Sequence, residues 1–218
     1  MELLLGARVV ADVGCDHGRL SCALVQRGIA RHCIAIDVSE PSLDKAIRLS
    51  RQLGLQDRIE TRLGDGLDSL APGEADAIAI LGMGGTLMTR ILDATPPLKG
   101  AERCVLQPMR AAEDIRRWLY ERNYPVLDDR VILDAGRYYQ IFSVGQPLGG
   151  RQPLPTGWPE NCFSLGYTAF RRREPMMKAL VERMLASTNR KLRKQRAVAL
   201  ERQAEQLLQI LSNWEEQT

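Results

Sequence analysis

Apolar and polar positions change rhythm twice along this chain. Through the first two thirds, the short apolar or β-branched runs Val9 to Val13, Cys33 to Val38, Ile59 to Leu63, Ala77 to Leu81 and Cys104 to Leu106 alternate with stretches of helical period. That order is expected of βαβ units, and so of a largely parallel sheet with helices on both faces. Leu20 to Arg27 reads as a helix ended by Gly28, while Ser39 with Pro41 marks a second start and Gly54 stops that helix after Leu53. A further helix is expected from Ala112 to Arg122, with Ile115, Trp118 and Leu119 as its apolar stripe. The period then falls to two: Val126 to Leu133 and Tyr138 to Val144 flank Asp-Ala-Gly-Arg, which reads as an antiparallel hairpin.

The last change comes after residue 146. Residues 145–162 hold four of the eleven prolines, which suggests a linker over 147–162 between a domain at 1–146 and a carboxyl-terminal unit at 163–218. After Pro175 neither glycine nor proline occurs. Leu180, Met184, Leu185 and Leu192, then Leu200, Leu207, Leu208, Leu211 and Trp214, recur at helical spacing and predict two amphipathic helices packed as a coiled-coil-like hairpin.

Composition narrows this picture without redrawing it. The chain of 218 residues suits one large domain, or one domain plus a small appendage. Cys15, Cys22, Cys33, Cys104 and Cys162 form no C-x-x-C pair, so neither a zinc site nor a disulfide framework is indicated, no metal is expected, and a reducing cytoplasm is the expected location. The apolar runs fall short of a membrane span. A net charge of +3 is small, but its placement is uneven: five of the eight residues from Asn189 to Arg196 are basic, and Arg171, Arg172 and Arg173 are consecutive. On a helix Arg190, Arg193 and Lys194 would lie close together and could neutralise backbone phosphates.

The chemistry concentrates where the predicted strands end. The segment Val9 to Gly18 reads VVADVGCDHG. A dinucleotide fingerprint needs glycines two and five positions after Gly14, where this chain has Asp16 and Arg19, and a carboxylate there would repel a diphosphate. S-adenosyl-L-methionine (SAM) makes the opposite demand, since it carries a sulfonium and an ammonium and no phosphate. Asp12 and Asp16 can face the ammonium, Gly14 admits close approach of the backbone, and His17 can orient a carboxylate or cap the turn. Asp37, beside Val38 at the second strand's end, can take both ribose hydroxyls. Gly64, Asp65 and Gly66 follow the third strand where the adenine would lie, and Gly82, Met83, Gly84 and Gly85 follow the fourth.

The fourth loop also bears on which atom receives a methyl group. It lacks the [DNS]-P-P-[YFW] signature that holds exocyclic amines, and Cys104 lies inside a predicted strand rather than in the Pro-Cys pair of C5 pyrimidine enzymes. A ring nitrogen or a small molecule remains as acceptor, for which alignment matters more than a strong base. Met83, Gly84 and the Gln107 amide are the candidate groups to hold a base beside the methyl.

With ADVGCDHGRL, GDGL, AILGMGGTLM, LQPM and DAGRYYQI in this order, the chain resembles the bacterial tRNA (adenine-22-N1)-methyltransferase family. The resemblance implies a class I, Rossmann-like fold with a seven-stranded, mostly parallel sheet, SAM as methyl donor, and tRNA as partner, methylated at N1 of adenosine 22 in the D-arm. Arg19, Ser21 and Met109 stand where the family favours tyrosine, proline and asparagine, and Met1 to Arg8 stand where its members have a further helix. A small-molecule methyltransferase and an inactive RNA-binding adaptor are the two other readings. The expected assembly is a monomer or a weak homodimer.

Overall fold

The computed structural model describes residues 1–94, 97–150, 157–160 and 162–216; part of the expected linker, at 151–156 and 161, lies outside the described residues. A single seven-stranded sheet organises the rest. Its strands are β1 (Val9–Val13), β2 (His32–Asp37), β3 (Ile59–Leu63), β4 (Ala77–Gly84), β5 (Arg103–Arg110), β6 (Val126–Asp134) and β7 (Arg137–Gly145), in the order β3-β2-β1-β4-β5-β7-β6. The first five run parallel, and β7 pairs antiparallel with both β5 and β6. The sheet is that of a Rossmann-like class I methyltransferase. Two strands outlast their apolar runs: β4 continues through Gly82–Gly84 and β5 through Arg110, joined across irregular register at Leu81, Met83 and Gly84. The glycine-rich stretch expected to follow the fourth strand is therefore its irregular end, held by backbone pairing that hydrophobicity does not encode.

Alternation explains the two covered faces. Ala11, Val13, Ile34, Ile36, Ile78, Ile80, Cys104 and Leu106 pack with Met88 and Ile91 of α3 (Gly85–Asp93) and with Ile115 and Trp118 of α4 (Ala112–Glu121). Their chain neighbours Val10, Cys33, Ala35, Ala77, Ala79 and Val105 pack with Leu24 and Val25 of α1 (Arg19–Gln26) and with Leu43 and Ala46 of α2 (Glu40–Gln52). Ser39 caps α2, its hydroxyl accepting from the Ser42 amide at 3.3 Å, with Pro41 in the first turn. The β6–β7 hairpin closes on a two-residue turn in which Ala135 (φ 45°) and Gly136 (φ 76°) are both left-handed, as the right-handed twist of such hairpins requires.

Beyond the sheet, α5 (Tyr167–Arg171), α6 (Met177–Leu192) and α7 (Val198–Glu216) build a third core from Phe170, Met177, Leu180, Val181, Leu207 and Ile210, with Val131 of β6 and with Trp158 and Cys162. Helices α6 and α7 run antiparallel: Lys178 faces Glu215 at 3.5 Å, and the Thr188 hydroxyl donates to Gln203 Oε1 at 3.0 Å. The turn between them falls at residues 193–197.

A buried ion pair ties the sheet to this carboxyl-terminal part. Arg116 of α4 donates to both carboxylate oxygens of Asp129 on β6, at 2.8 and 3.0 Å, and to Gln140 Oε1 on β7 at 3.0 Å, while Gln140 Nε2 donates to the Ser164 carbonyl at 3.0 Å. A Cβ on Gly166 would lie 1.6 Å from Asp129 Oδ2, so the chain there passes against the pair with no room for a side chain. Asp129→Ala would leave the buried charge of Arg116 without its carboxylate, and is expected to cost about 3–5 kcal/mol. Denaturant unfolding followed by tryptophan fluorescence checks this, with the midpoint expected to fall well below that of the native chain.

Candidate functional site

Strand order reverses between β1 and β4, since the chain winds outward through β2 and β3 and then returns to the far side of β1. The carboxyl ends of β1 and β4 therefore border the crevice in which open α/β sheets hold ligands. Asp12, one residue before the end of β1, is 4% exposed, and the Ser21 hydroxyl of α1 donates to its Oδ2 at 2.7 Å. Burial pushes the Asp12 carboxyl up to about 6; the Ser21 bonds oppose the rise, and the negative charge of Asp37 adds to it. Ser21, which stands where the resembled family favours proline, thus supports the buried acid, a role that sequence spacing alone did not signal.

After β1 the chain turns sharply over the end of β2. The amides of Gly14 and Cys15 donate to the Ile36 carbonyl at 2.8 and 3.0 Å, and the Asp16 amide donates to Asp37 Oδ2 at 2.9 Å. Asp37 Oδ1 accepts from the Ser39 amide at 3.0 Å. Each Asp37 oxygen therefore holds one backbone partner and keeps one lone-pair direction open, so that two acceptor sites remain side by side. The Gly64 amide bonds the Asp37 carbonyl at 3.1 Å and brings the end of β3 alongside. Asp65 and Gly66 line a hollow of about 230 Å³ with Arg90 and Ile91. His17 Nδ1 lies 2.5 Å from Asp16 Oδ2, so His17 orients a carboxylate within its own turn. Val38 stands 66% exposed just beyond Asp37.

Gly14 has φ +71°, and a Cβ there would meet Met83 Cε at 2.1 Å. The position needs glycine for its backbone, and a Cβ there would push aside the flexible end of the methionine that crosses from the end of β4. Beside it, the Gly82 amide donates to Gln107 Oε1 at 3.1 Å, and Gln107 Nε2 approaches Met109 Sδ at 3.4 Å. Met83 pairs with Pro108 and Gly84 with Arg110. The expected Met83, Gly84 and Gln107 thus come together, with the amide of Gln107 turned onto the backbone of β4. The strand-end residues 81–84 and 106–109 include no ionisable side chain. Cys104 is fully buried in the core, and burial raises its thiol far above the ordinary range, which removes it as a nucleophile.

The basic residues divide. Arg172 bonds Asp128, and Arg173 donates to the Trp214 carbonyl at 2.5 Å and stacks on the Trp214 ring. Arg171, Arg190, Arg193 and Lys194 are exposed, the last three at the α6–α7 turn. A sequence run of arginines cannot tell which of its members the fold provides with a partner.

A family model described as a methyltransferase domain matches residues 2–142. The chain belongs to that methyltransferase family. Among its relatives, the tRNA (adenine(22)-N(1))-methyltransferase of Bacillus subtilis is 39% identical over 141 residues, a match that spans 64% of this chain and 59% of that protein. The crystal structure of the B. subtilis m1A22 tRNA methyltransferase TrmK aligns with TM-score 0.74 and 27% identity over 98% of this chain and 93% of that one. The Streptococcus pneumoniae Sp1610 protein in complex with S-adenosyl-L-methionine aligns with TM-score 0.82 and 26% identity over 96% of this chain and 94% of that one. The structural likeness of this methyltransferase thus runs through the carboxyl-terminal helices, beyond the stretch of sequence similarity. Among the described residues, no helix is long and apolar enough to cross a membrane, and no cluster of His, Cys, Asp and Glu could hold a metal ion.

Asp12 supplies a test of this electrostatic picture. Its folded value of about 6 stands above the ordinary 3.8. The native chain therefore holds the Asp12 proton more tightly than the unfolded chain, and loses stability as pH rises between those values, by about 3 kcal/mol once the group is fully ionised. Asp12→Asn is expected to raise the ligand-free melting temperature at pH 8 and to change it less at pH 4, as thermal unfolding at the two pH values would show.

Proposed function

We propose that this methyltransferase uses SAM to methylate N1 of an adenine in tRNA, at position 22 of the D-arm. The observation that carries the cofactor is the pair of carboxylates at the ends of β1 and β2, one buried and one with two open acceptor sites, beside a glycine in left-handed backbone. Asp12 would face the ammonium of the methionine part, Asp37 the two ribose hydroxyls, and the Asp65–Gly66 hollow the adenine. When bound, SAM supplies an electrophilic methyl on a sulfonium. The relatives' names support tRNA and the adenine nitrogen, and the absence of an ionisable side chain among strand-end residues 81–84 and 106–109 agrees with an acceptor that already carries its lone pair. Met83, Gly84 and Gln107 would hold the base by shape and by backbone polarity, and the enzyme's work is alignment.

The carboxyl-terminal helices would bring the tRNA to this edge. Asp128 bonds Arg172, Arg130 pairs with Glu174, and the Arg183 guanidinium donates to the Gly136 carbonyl at 2.7 Å. Rising numbers on β6 thus meet rising numbers on α5 and α6, so α6 points with β6 toward the carboxyl edge of the sheet. About nine further residues of α6 follow Arg183, roughly 13 Å of helix, and carry Arg190, Arg193 and Lys194 past that edge. These three and Arg171 would contact phosphates; Arg172 would instead hold the helices to the sheet, and Arg173 would hold α7.

Methyl transfer from radiolabelled SAM to unmodified bacterial tRNA, with nucleoside analysis and mapping of the product, tests the whole reading: N1-methyladenosine at position 22 is expected, and label in another nucleoside overturns the target. Asp37→Ala is expected to weaken SAM binding by about 1.5–3 kcal/mol, read by calorimetry. Because Asp12 must be ionised to attract an ammonium, SAM affinity should fall as pH drops below about 6 in the native chain, and titrations between pH 5 and 8 would show that fall flattened in Asp12→Asn.

A further inference from the structure

A groove of about 650 Å³ opens beside the end of β4, between Gly84, Thr86, Leu87 and Arg90 on one side and Arg110 on the other. Its position follows from the register, since Arg110 is the last residue of β5 and pairs with Gly84, three residues beyond Gln107. It therefore adjoins the place where the target base would be held. Its charge is lopsided. Asp93, the acid in its lining, is paired with Arg122 at 2.8 Å, and Asp114 on α4 accepts from the Thr86 hydroxyl at 2.9 Å. The Thr89 hydroxyl donates to the Thr86 carbonyl at 2.8 Å. Arg90 and Arg110 are exposed, and neither has an ion pair or a side-chain hydrogen bond among the described residues. Asp65 and Asp68 line the neighbouring hollow that Arg90 also borders, without pairing with it.

Two free guanidinium groups across a groove that opens onto the base-holding strand ends present planar donor forks suited to phosphate oxygens. From this juxtaposition we infer that Arg90 and Arg110 clamp the phosphodiester backbone of the RNA strand carrying the target base, an inference that rests on the tRNA reading above. The clamp differs in purpose from the basic α6–α7 turn. That turn carries its charges on one exposed helix end and would dock the tRNA body, whereas Arg90 and Arg110 flank the reacting nucleotide and would fix its register along the strand. Leu87, 36% exposed in the groove wall, and Met109, 37% exposed next to Arg110, give the sugar-phosphate strand an apolar flank.

The test uses the full chain with Arg90→Gln, Arg110→Gln, the double variant and Arg110→Lys. Equilibrium binding of unmodified tRNA transcript is measured across a salt series, steady-state methylation alongside, and SAM binding by calorimetry. Each single Gln variant is expected to weaken tRNA binding about tenfold, as for one charge-assisted contact. The slope of log affinity against log salt should become shallower by about 0.7–0.9 for each phosphate lost, and twice that in the double variant. Arg110→Lys should keep the slope and part of the affinity, and Arg110→Gln, which lies outside the cofactor hollow, should leave SAM affinity unmoved. Unchanged tRNA affinity and slope in both Gln variants would overturn the clamp, as would weaker binding at an unchanged slope. A loss of SAM affinity in Arg110→Gln would assign that arginine to the cofactor and overturn the clamp. Failure of the unaltered chain to bind or methylate tRNA would defeat the functional reading itself and the clamp with it, an outcome distinct from a methylating enzyme whose variants behave like wild type.

Discussion

The Arg116–Asp129 pair sits where three pieces of the chain meet. Its bidentate bonds join α4 to β6, Gln140 extends the network to β7 and to the Ser164 carbonyl, and the bare backbone of Gly166 lies against Asp129. Arg116 also stacks over the Phe142 ring, its guanidinium carbon 4.1 Å from the ring centre. An apolar replacement could match such a pair in stability; what the charged pair adds is direction, since segment 164–166 must dock so that the Ser164 carbonyl meets the Gln140 amide beside the pair. The third hydrophobic core, built on Phe170, Met177 and Leu207, can form beside β6 only where that docking puts it. The aim of α6 along β6, and with it the place of the basic turn, depends on that docking.

At the opposite end of the argument lies the electrostatic cost of the β1–β2 edge. Two carboxylates, Asp12 and Asp37, stand close enough to raise the buried one, and Ser21 offsets only part of the burial. Such an arrangement is unfavourable without a ligand and becomes favourable with a cationic one. The same edge carries neutral groups at β4 and β5 and unpaired arginines just past them. Charge therefore grades along a few strand ends from acidic, suited to an ammonium and a diol, through neutral, suited to a flat base, to basic, suited to phosphate.

Much of this was legible in the sequence. The parallel strands, the hairpin with its Asp-Ala-Gly-Arg turn, the Ser39–Pro41 helix start and the strand-end acids all follow from local residue chemistry, because alternation, capping and turn formation are decided within a few residues. The resemblance to tRNA (adenine-22-N1)-methyltransferases rested on short motifs at those same ends, and the methyltransferase family match covers them. Less legible were the contacts between residues distant in the chain. Ser21 beneath Asp12, Met83 over Gly14 and Gln107 on the Gly82 amide depend on how strands are staggered.

The sequence by itself determined that an α/β sheet would form and that acids and glycines would sit at its carboxyl edge, because a pattern of alternating apolar runs and turn residues admits few other arrangements. Only the tertiary structure decided that β4 and β5 run on through their polar ends, that Arg172 and Arg173 meet Asp128 and Trp214 while Arg90 and Arg110 have no ion pair among the described residues, and that α6 rises along β6. The physical reason is that water, a carboxylate and an aromatic ring can each accommodate a guanidinium, and local sequence does not choose among them. Which of these it meets is set by long-range packing, and here the packing turns on the buried pair of Arg116 and Asp129.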